Sequence, residues 1–173
     1  GSGADGFLYS FGEEPFFSDS ASTVISEDSI GVRSLYVANS ELLSVSAHEN
    51  VLLKNESDFI REDVLATQSA NGSVFLYNKE GELRFTQSLG QPSSGTLVTH
   101  TIDINADLNM ELIALAEFGR LYAWEVLTGK RLFNLPTSSM KYPIIADLNG
   151  DGQKELIAQT REGLRCWTIN REN

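Results

Sequence analysis

Apolar residues fall into short runs rich in Val, Ile, Leu, Phe, Tyr and Trp, parted by clusters of Gly, Asn, Asp and Ser. Such runs are strand chemistry. β-Branched and aromatic side chains fit a pleated, half-buried surface, and Gly, Asn and Asp accept the dihedral angles of tight turns. No window carries a sustained helical period, so the pattern predicts an all-β chain. The stretch 12–30, with its Ser, Glu and Asp content and Pro15, is the expected long loop, and Phe16 and Phe17 are expected to pin it to the body.

The pattern repeats. Asp103-Ile-Asn-Ala-Asp-Leu-Asn-Met-Glu-Leu-Ile-Ala114 aligns without a gap on Asp147-Leu-Asn-Gly-Asp-Gly-Gln-Lys-Glu-Leu-Ile-Ala158, an offset of 155 − 111 = 44. Each copy is followed by a second apolar run, Gly119 to Trp124 or Gly163 to Trp167, the latter match needing a one-residue gap. An earlier copy without the acidic loop runs Asp63 to Thr67, Ala70 to Tyr77 and Gly81 to Phe85, offset by 111 − 63 = 48. Gly6 to Phe11 reads like Gly119 to Trp124, so the sequence begins within a repeat. The runs 32–38, 42–46 and 51–53 make a further divergent unit. Three or four strands per unit is what a β-propeller blade requires, each blade being a small antiparallel sheet packed on its neighbours. The expectation is a β-propeller of about four blades, or a segment of a larger one, over residues 4–173. Gly1-Ser2-Gly3 reads as an expression scar.

Charge narrows the function. With 13 basic and 24 acidic residues among 173, the net charge is −11. This disfavours nucleic acid and anionic membranes, whose phosphates call for clustered Lys and Arg, and favours cations. A single cysteine, Cys166, excludes an intrachain disulfide and a Cys-rich zinc site. Neither a Gly-x-Ser-x-Gly elbow nor a Gly-Lys-Ser/Thr phosphate loop occurs.

The acidic segment of the last repeat has calcium chemistry. Calcium takes about 6–8 oxygens, and alternating Asp and Asn on a tight loop converge on one point. Asp147, Asn149 and Asp151 hold positions 1, 3 and 5, Gln153 offers a carbonyl at position 7, and Glu155 a carboxylate at position 9. Gly150 and Gly152 permit positive φ. Position 12 is Ala158, where an EF-hand needs Glu. The upstream loop keeps Asp103, Asn105, Asp107 and Glu111, but Leu108 stands at the place of Gly152, so its turn is expected to be made differently. The alternative is a set of metal-free Asx-turns. The matching stretch from Asn55 through Phe59 has lost the pattern and is expected to bind nothing.

On these residues, Asp147 to Ala158, DLNGDGQKELIA, resembles the calcium loop of FG-GAP (VCBS, integrin-α-like) repeats. Leu121 to Phe133, LYAWEVLTGKRLF, resembles the repeat of quinoprotein-like (PQQ-type) propellers. The resemblance implies a non-catalytic, Ca2+-stabilised propeller module for adhesion, taking a protein or carbohydrate ligand through its loops, in an extracellular, cell-surface or periplasmic setting. It implies neither nucleic-acid binding nor membrane insertion, and self-association if the ring is incomplete. The rival is a piece of a propeller enzyme, quinoprotein dehydrogenase-like or polysaccharide lyase-like. Tyr9, Tyr77, Tyr122, Trp124 and Trp167 recur at like positions and are expected between blades. Cys166 is expected as a small buried hydrophobe, and His48 and His100 as exposed or turn residues.

Overall fold

The computed structural model describes residues 7–12, 23–24, 31–36, 40–55, 58–116, 119–137 and 141–169. Every regular element among them is a β-strand, as the run-and-turn pattern predicts. The first sheet holds β1 (Phe7–Gly12), β2 (Thr23–Val24) and β3 (Gly31–Tyr36) in the order β1-β3-β2. The second runs β4 (Leu42–Asn55), β5 (Asp58–Ser69), β6 (Ser73–Asn78) and β7 (Leu83–Ser88) in sequence order. The third follows the same plan with β8 (Val98–Ile102), β9 (Glu111–Ala116), β10 (Arg120–Glu125) and β11 (Arg131–Pro136). The fourth has β12 (Lys141–Ala146), β13 (Glu155–Thr160) and β14 (Gly163–Thr168). Of the predicted loop 12–30, Gly12 ends β1 and Thr23–Val24 form β2; Phe16, Phe17 and Gly1 to Gly3 lie outside the described residues.

Where the acidic loop is missing from the earlier repeat, β4 and β5 pair in one long hairpin from Leu42↔Ser69 to Asn55↔Asp58, with a register shift between His48 and Val51. In the later repeats the acidic loops separate β8 from β9 and β12 from β13.

Side chains alternate across each strand, and the two faces of a sheet meet different neighbours. From the second sheet, Val64, Ala66, Val74, Leu76 and Phe85 share one core with Leu112, Ala114, Tyr122 and Trp124 of the third. The opposite face of the third sheet, with Ile113, Leu121 and Ala123, packs on Leu156, Ile145 and Trp167 of the fourth. The second, third and fourth sheets are thus stacked face on face. Ala66 lies beside Leu76 as Ile113 lies beside Ala123, an offset of 123 − 76 = 47. The sequence alignment gave 48 for β5, which puts Leu65 in that place; one residue of slip moves a strand's side chains to the opposite face, and packing selects 47.

Among the described residues the sheets do not close into a ring, which corrects the expected β-propeller, as ring or as segment. Ring closure would cover both faces of every sheet, yet the far face of the fourth sheet leaves Ile144 and Leu164 59% and 77% exposed. The repeat encodes strands and the contact of one sheet with the next. Closure needs a further contact between distant parts of the chain that no single repeat carries.

The centre of the stack is aromatic. Tyr122 and Trp124, both fully buried, stack with ring centroids 5.2 Å apart and planes 7° from parallel. Phe85 of the second sheet meets Trp124 at 6.4 Å and 45°. Tyr122 Oη donates to the Leu89 carbonyl at 2.6 Å, so its buried hydroxyl is satisfied. Gly129, in the turn between β10 and β11, has φ 70°; a Cβ there would lie 2.7 Å from Phe85 Cβ. Its carbonyl accepts from Gln87 Nε2 at 2.8 Å. His48 on β4 is half-buried rather than exposed and pairs through Nε2 with Thr99 Oγ1 at 3.0 Å, joining the second and third sheets.

Two outcomes follow from these contacts. Gly129→Ala is expected to destabilise the fold by about 2–4 kcal/mol, because left-handed strain and overpacking against Phe85 add; chemical denaturation measures it. Burial, and then the neighbouring His100, push the His48 pKa down to about 4 from 6.5. The unfolded chain therefore binds more protons between those values, and stability is lost as pH falls through this window. In His48→Gln, thermal melts from pH 7 to pH 4 are expected to lose part of that acid sensitivity.

Candidate functional site

Strands β8 and β12 each run into an acidic loop, and each loop returns to a strand beginning with Glu, Glu111 or Glu155. Local chemistry shapes both loops on closely similar plans. In the downstream loop, the Gly150 and Gly152 N–H groups donate to Asp147 Oδ1 and Oδ2 at 2.7 and 2.9 Å. Asp151 N donates to Asn149 Oδ1 at 2.9 Å, and Gln153 N to Asp151 Oδ1 at 2.8 Å. Asn149 Nδ2 donates to Asp151 Oδ2, and Leu148 N to Glu155 Oε2, each at 2.9 Å.

The upstream loop repeats the scheme. Asp107 N and Leu108 N donate to Asp103 Oδ1 and Oδ2 at 3.2 and 3.0 Å. Asp107 N also donates to Asn105 Oδ1, and Asn109 N to Asp107 Oδ1, at 3.0 and 2.8 Å. Asn105 Nδ2 meets Asp107 Oδ2 at 3.0 Å, and Ile104 N meets Glu111 Oε2 at 2.8 Å. These are Asx-type turns that fix each carboxylate through backbone N–H groups.

The expectation that Leu108 forces a different turn is therefore corrected. Gly150 and Gly152 have φ 77° and 87°; Ala106 and Leu108, at the same places, have φ 57° and 72°. The upstream loop holds the same path with two side chains in a region that glycine enters freely and other residues enter at a cost. It is also clamped from the second sheet. Lys54 N donates to Asn109 Oδ1 at 2.9 Å, and Met110 N to the Leu52 carbonyl at 3.2 Å.

Glu111 is the chemically exceptional residue. Its side chain is fully buried, Oε2 is held by Ile104 N, and Oε1 has no hydrogen-bond partner. Burial pushes its pKa up to about 8, opposed by the Ile104 N–H and reinforced by Asp107, Asp103 and Glu125. Glu125 stands directly opposite Glu111 in the β9–β10 register. The sequence signals Glu111 only as the last acid of its loop; the burial and the facing Glu125 come from pairing. Glu155 is also buried, but Thr168 stands opposite it. At half-buried Asp147, desolvation is outweighed by the Gly152 and Gly150 N–H groups and the charge of Lys154, which hold the carboxyl below its ordinary range.

Ile104, Asn105 and Ala106 of one loop and Asp151, Gly152 and Gln153 of the other line a common cleft of about 720 Å³, with Ile169 beside them. Of the sequence-predicted residues, Asn105, Asp151 and Gln153 are thus brought together at the contact between the third and fourth sheets. They do not form a closed ligand cage. Among the described residues, no three His, Cys, Asp or Glu side chains gather in a metal-holding group. With neither ring nor cage, the expected calcium-stabilised adhesion propeller is corrected, as is its propeller-enzyme rival. Cys166, expected to be buried, is exposed, because among the described residues nothing covers the outer face of the fourth sheet, where Ile144 and Leu164 are exposed too. Among the described residues no helix is long and apolar enough to cross a membrane.

No protein-family model matches the chain, so the resemblance to FG-GAP, VCBS and PQQ-type repeats does not extend to membership, and no curated protein matches it. Two solved structures are similar over most of its length. One is the computationally designed Ika4 protein, at 12% identity and TM-score 0.34, covering 77% of this chain and 100% of that one. The other is the computationally designed Ika8 protein, at 13% identity and TM-score 0.29, covering 80% of this chain and 52% of that one. Likenesses this distant assign neither architecture nor activity.

Proposed function

We propose that the two acidic loops take Ca2+ and that the chain is a cation-responsive all-β module. The observation that carries this reading is Glu111 Oε1, a carboxylate oxygen fully buried without a hydrogen-bond partner at the foot of the upstream loop. A buried carboxylate needs a proton or a cation, because desolvation of an unpaired charge costs several kcal/mol. Asp103, Asp107 and Glu125 add like charge around it, which a divalent cation in the loop would offset.

The donor set fits a hard cation. Asp103, Asn105, Asp107 and Glu111 upstream, and Asp147, Asn149, Asp151, the Gln153 carbonyl and Glu155 downstream, are all oxygen donors. Each carboxylate oxygen that a backbone N–H group reaches has one lone-pair direction engaged and another available. Bound calcium would neutralise the loops and draw their side chains inward from the present Asx-turn arrangement. Non-glycine strain at Ala106 and Leu108 also supports the reading, since strained backbone persists where the surroundings require one particular path. The proposal concerns the loops alone and carries neither an adhesive role nor a ring.

Calcium at about a hundred times its Kd is expected to stabilise the fold by roughly 2.7 kcal/mol per site, raising the melting temperature above that in chelator. Glu111→Gln should remove the upstream share of the rise and Asp151→Ala most of the downstream share; equal melts in calcium and chelator overturn the proposal. Leu108→Gly, at a side chain 48% exposed, is expected to stabilise the calcium-free fold by up to about 1 kcal/mol by relieving left-handed strain, as denaturant titration would show.

A further inference from the structure

We propose that the pair Asn149–Gly150, in the downstream acidic loop, modifies itself: the Gly150 nitrogen displaces the side-chain amide of Asn149, and the loop gains an aspartyl or isoaspartyl residue. Nothing in this proposal needs a bound cation. Asparagine followed by glycine is the dipeptide most open to such attack, because glycine has no side chain to shield its nitrogen. It occurs twice in the sequence, at Asn71–Gly72 and at Asn149–Gly150. The chain therefore carries its own control.

The loop serves each reacting atom in turn. Gly150 N, the nucleophile, donates to Asp147 Oδ1 at 2.7 Å, so a carboxylate stands where the departing proton must go. Asp151 N donates to Asn149 Oδ1 at 2.9 Å, which polarises the carbonyl under attack and steadies the oxyanion that forms on it. Asn149 Nδ2 donates to Asp151 Oδ2 at 2.9 Å, which fixes the orientation of the amide. As the bond from Gly150 N to Asn149 Cγ forms, Asp147 takes the N–H proton and passes it through solvent to Nδ2. The Cγ–Nδ2 bond breaks, and Nδ2 leaves as ammonia. Water then opens the cyclic imide: addition at Cγ gives aspartate in a normal chain, and addition at the main-chain carbonyl gives isoaspartate, whose backbone runs through the side chain. Asn149 and Gly150 are both exposed, so water reaches them.

Surroundings separate the two pairs. Asn71 makes the same Asx bond, its Oδ1 accepting from Ser73 N at 3.0 Å. Gly72 N, however, donates to the Ser69 carbonyl at 2.9 Å, and a peptide carbonyl is no base for it. Gly72 is also buried, its carbonyl accepts from Leu89 N at 2.9 Å, and a Cβ on it would lie 2.0 Å from the Gln91 carbonyl oxygen. Ring closure must turn the Asn–Gly peptide, and there it has no room to turn. At Gly150 a Cβ would meet nothing within 4 Å. In the upstream loop Asn105 is followed by Ala106, whose methyl crowds the attacking nitrogen. Modification is thus directed to one loop of the two. An aspartate at 149 adds a carboxylate beside Asp147 and Asp151, whereas isoaspartate lengthens the main chain and breaks the turn that Asn149 makes with Asp151.

The test incubates the folded chain in neutral buffer with chelator and follows each asparagine by peptide mass spectrometry, chromatography separating aspartyl from isoaspartyl products. Asn149 is expected to convert at least about tenfold faster than Asn71, the rate ratio of a small difference in barrier. In urea, where only the dipeptide remains, the two rates should converge. Asp147→Asn keeps an acceptor for Gly150 N but removes the base, and should slow Asn149 by about tenfold or more. Equal rates at Asn149 and Asn71 in the folded chain overturn the proposal, as does an undiminished excess of Asn149 in urea. An unchanged Asn149 rate in Asp147→Asn overturns it too. The comparison of folded with urea-unfolded chain uses the unsubstituted protein, so it decides the matter whatever the stability of that variant.

Discussion

The stack of Tyr122 on Trp124, laid against Phe85, is the contact on which the arrangement of sheets depends. Aromatic side chains bury large areas with few rotatable bonds, so two rings on β10 gather the apolar faces of the second and third sheets efficiently. Tyr122 also holds the Leu89 carbonyl after β7, and the Gly129 turn comes so close to Phe85 that no side chain fits there. With one face of β10 committed to the second sheet, its other face is left for the fourth. Leu121 and Ala123 accordingly meet Leu156, Ile145 and Trp167. A strand buried on both faces thus orders three sheets in a row.

The acidic loops stand beside this core and carry the opposite physical problem. Packing the third sheet buries Glu111, the side chain that closes the upstream loop, facing Glu125 and near Asp103 and Asp107. The stabilising apolar contact and the costly carboxylate therefore belong to one strand, β9. Polar turns soften the conflict, since backbone N–H groups reach every Asp in the two loops. They do not reach Glu111 Oε1. Charge is thus concentrated near the place where two sheets join, and the shared cleft of Asn105, Asp151 and Gln153 lies at that joint.

Strand identity and the hydrogen-bonded form of the loops were legible in the sequence, because each depends on residues a few positions apart. Alternation marks a strand, positive φ selects glycine, and Asp and Asn side chains capture N–H groups two to five residues on. What lies between sheets was not legible in the same way. The one-residue offset of β5, the half-buried place of His48, the burial of Glu111 opposite Glu125 and the exposure of Cys166 depend on which faces meet. Leu108 shows the limit from the other side: its residue type argued against the glycine-like turn, and clamping by Lys54 and Leu52 imposed that turn nevertheless.

The expectation of a ring failed for a related reason. Repeats at offsets of 44 to 48 specify similar sheets and one kind of contact between neighbours, and those are local instructions issued several times. Whether the series closes is decided by the small angles and distances that accumulate from sheet to sheet, which no hydrophobic pattern records. The sequence by itself determined the strands, the turns and the acidic loops. Tertiary structure decided that the described sheets do not close into a ring and that one loop glutamate is buried among like charges, since each of these is a sum over contacts between distant residues.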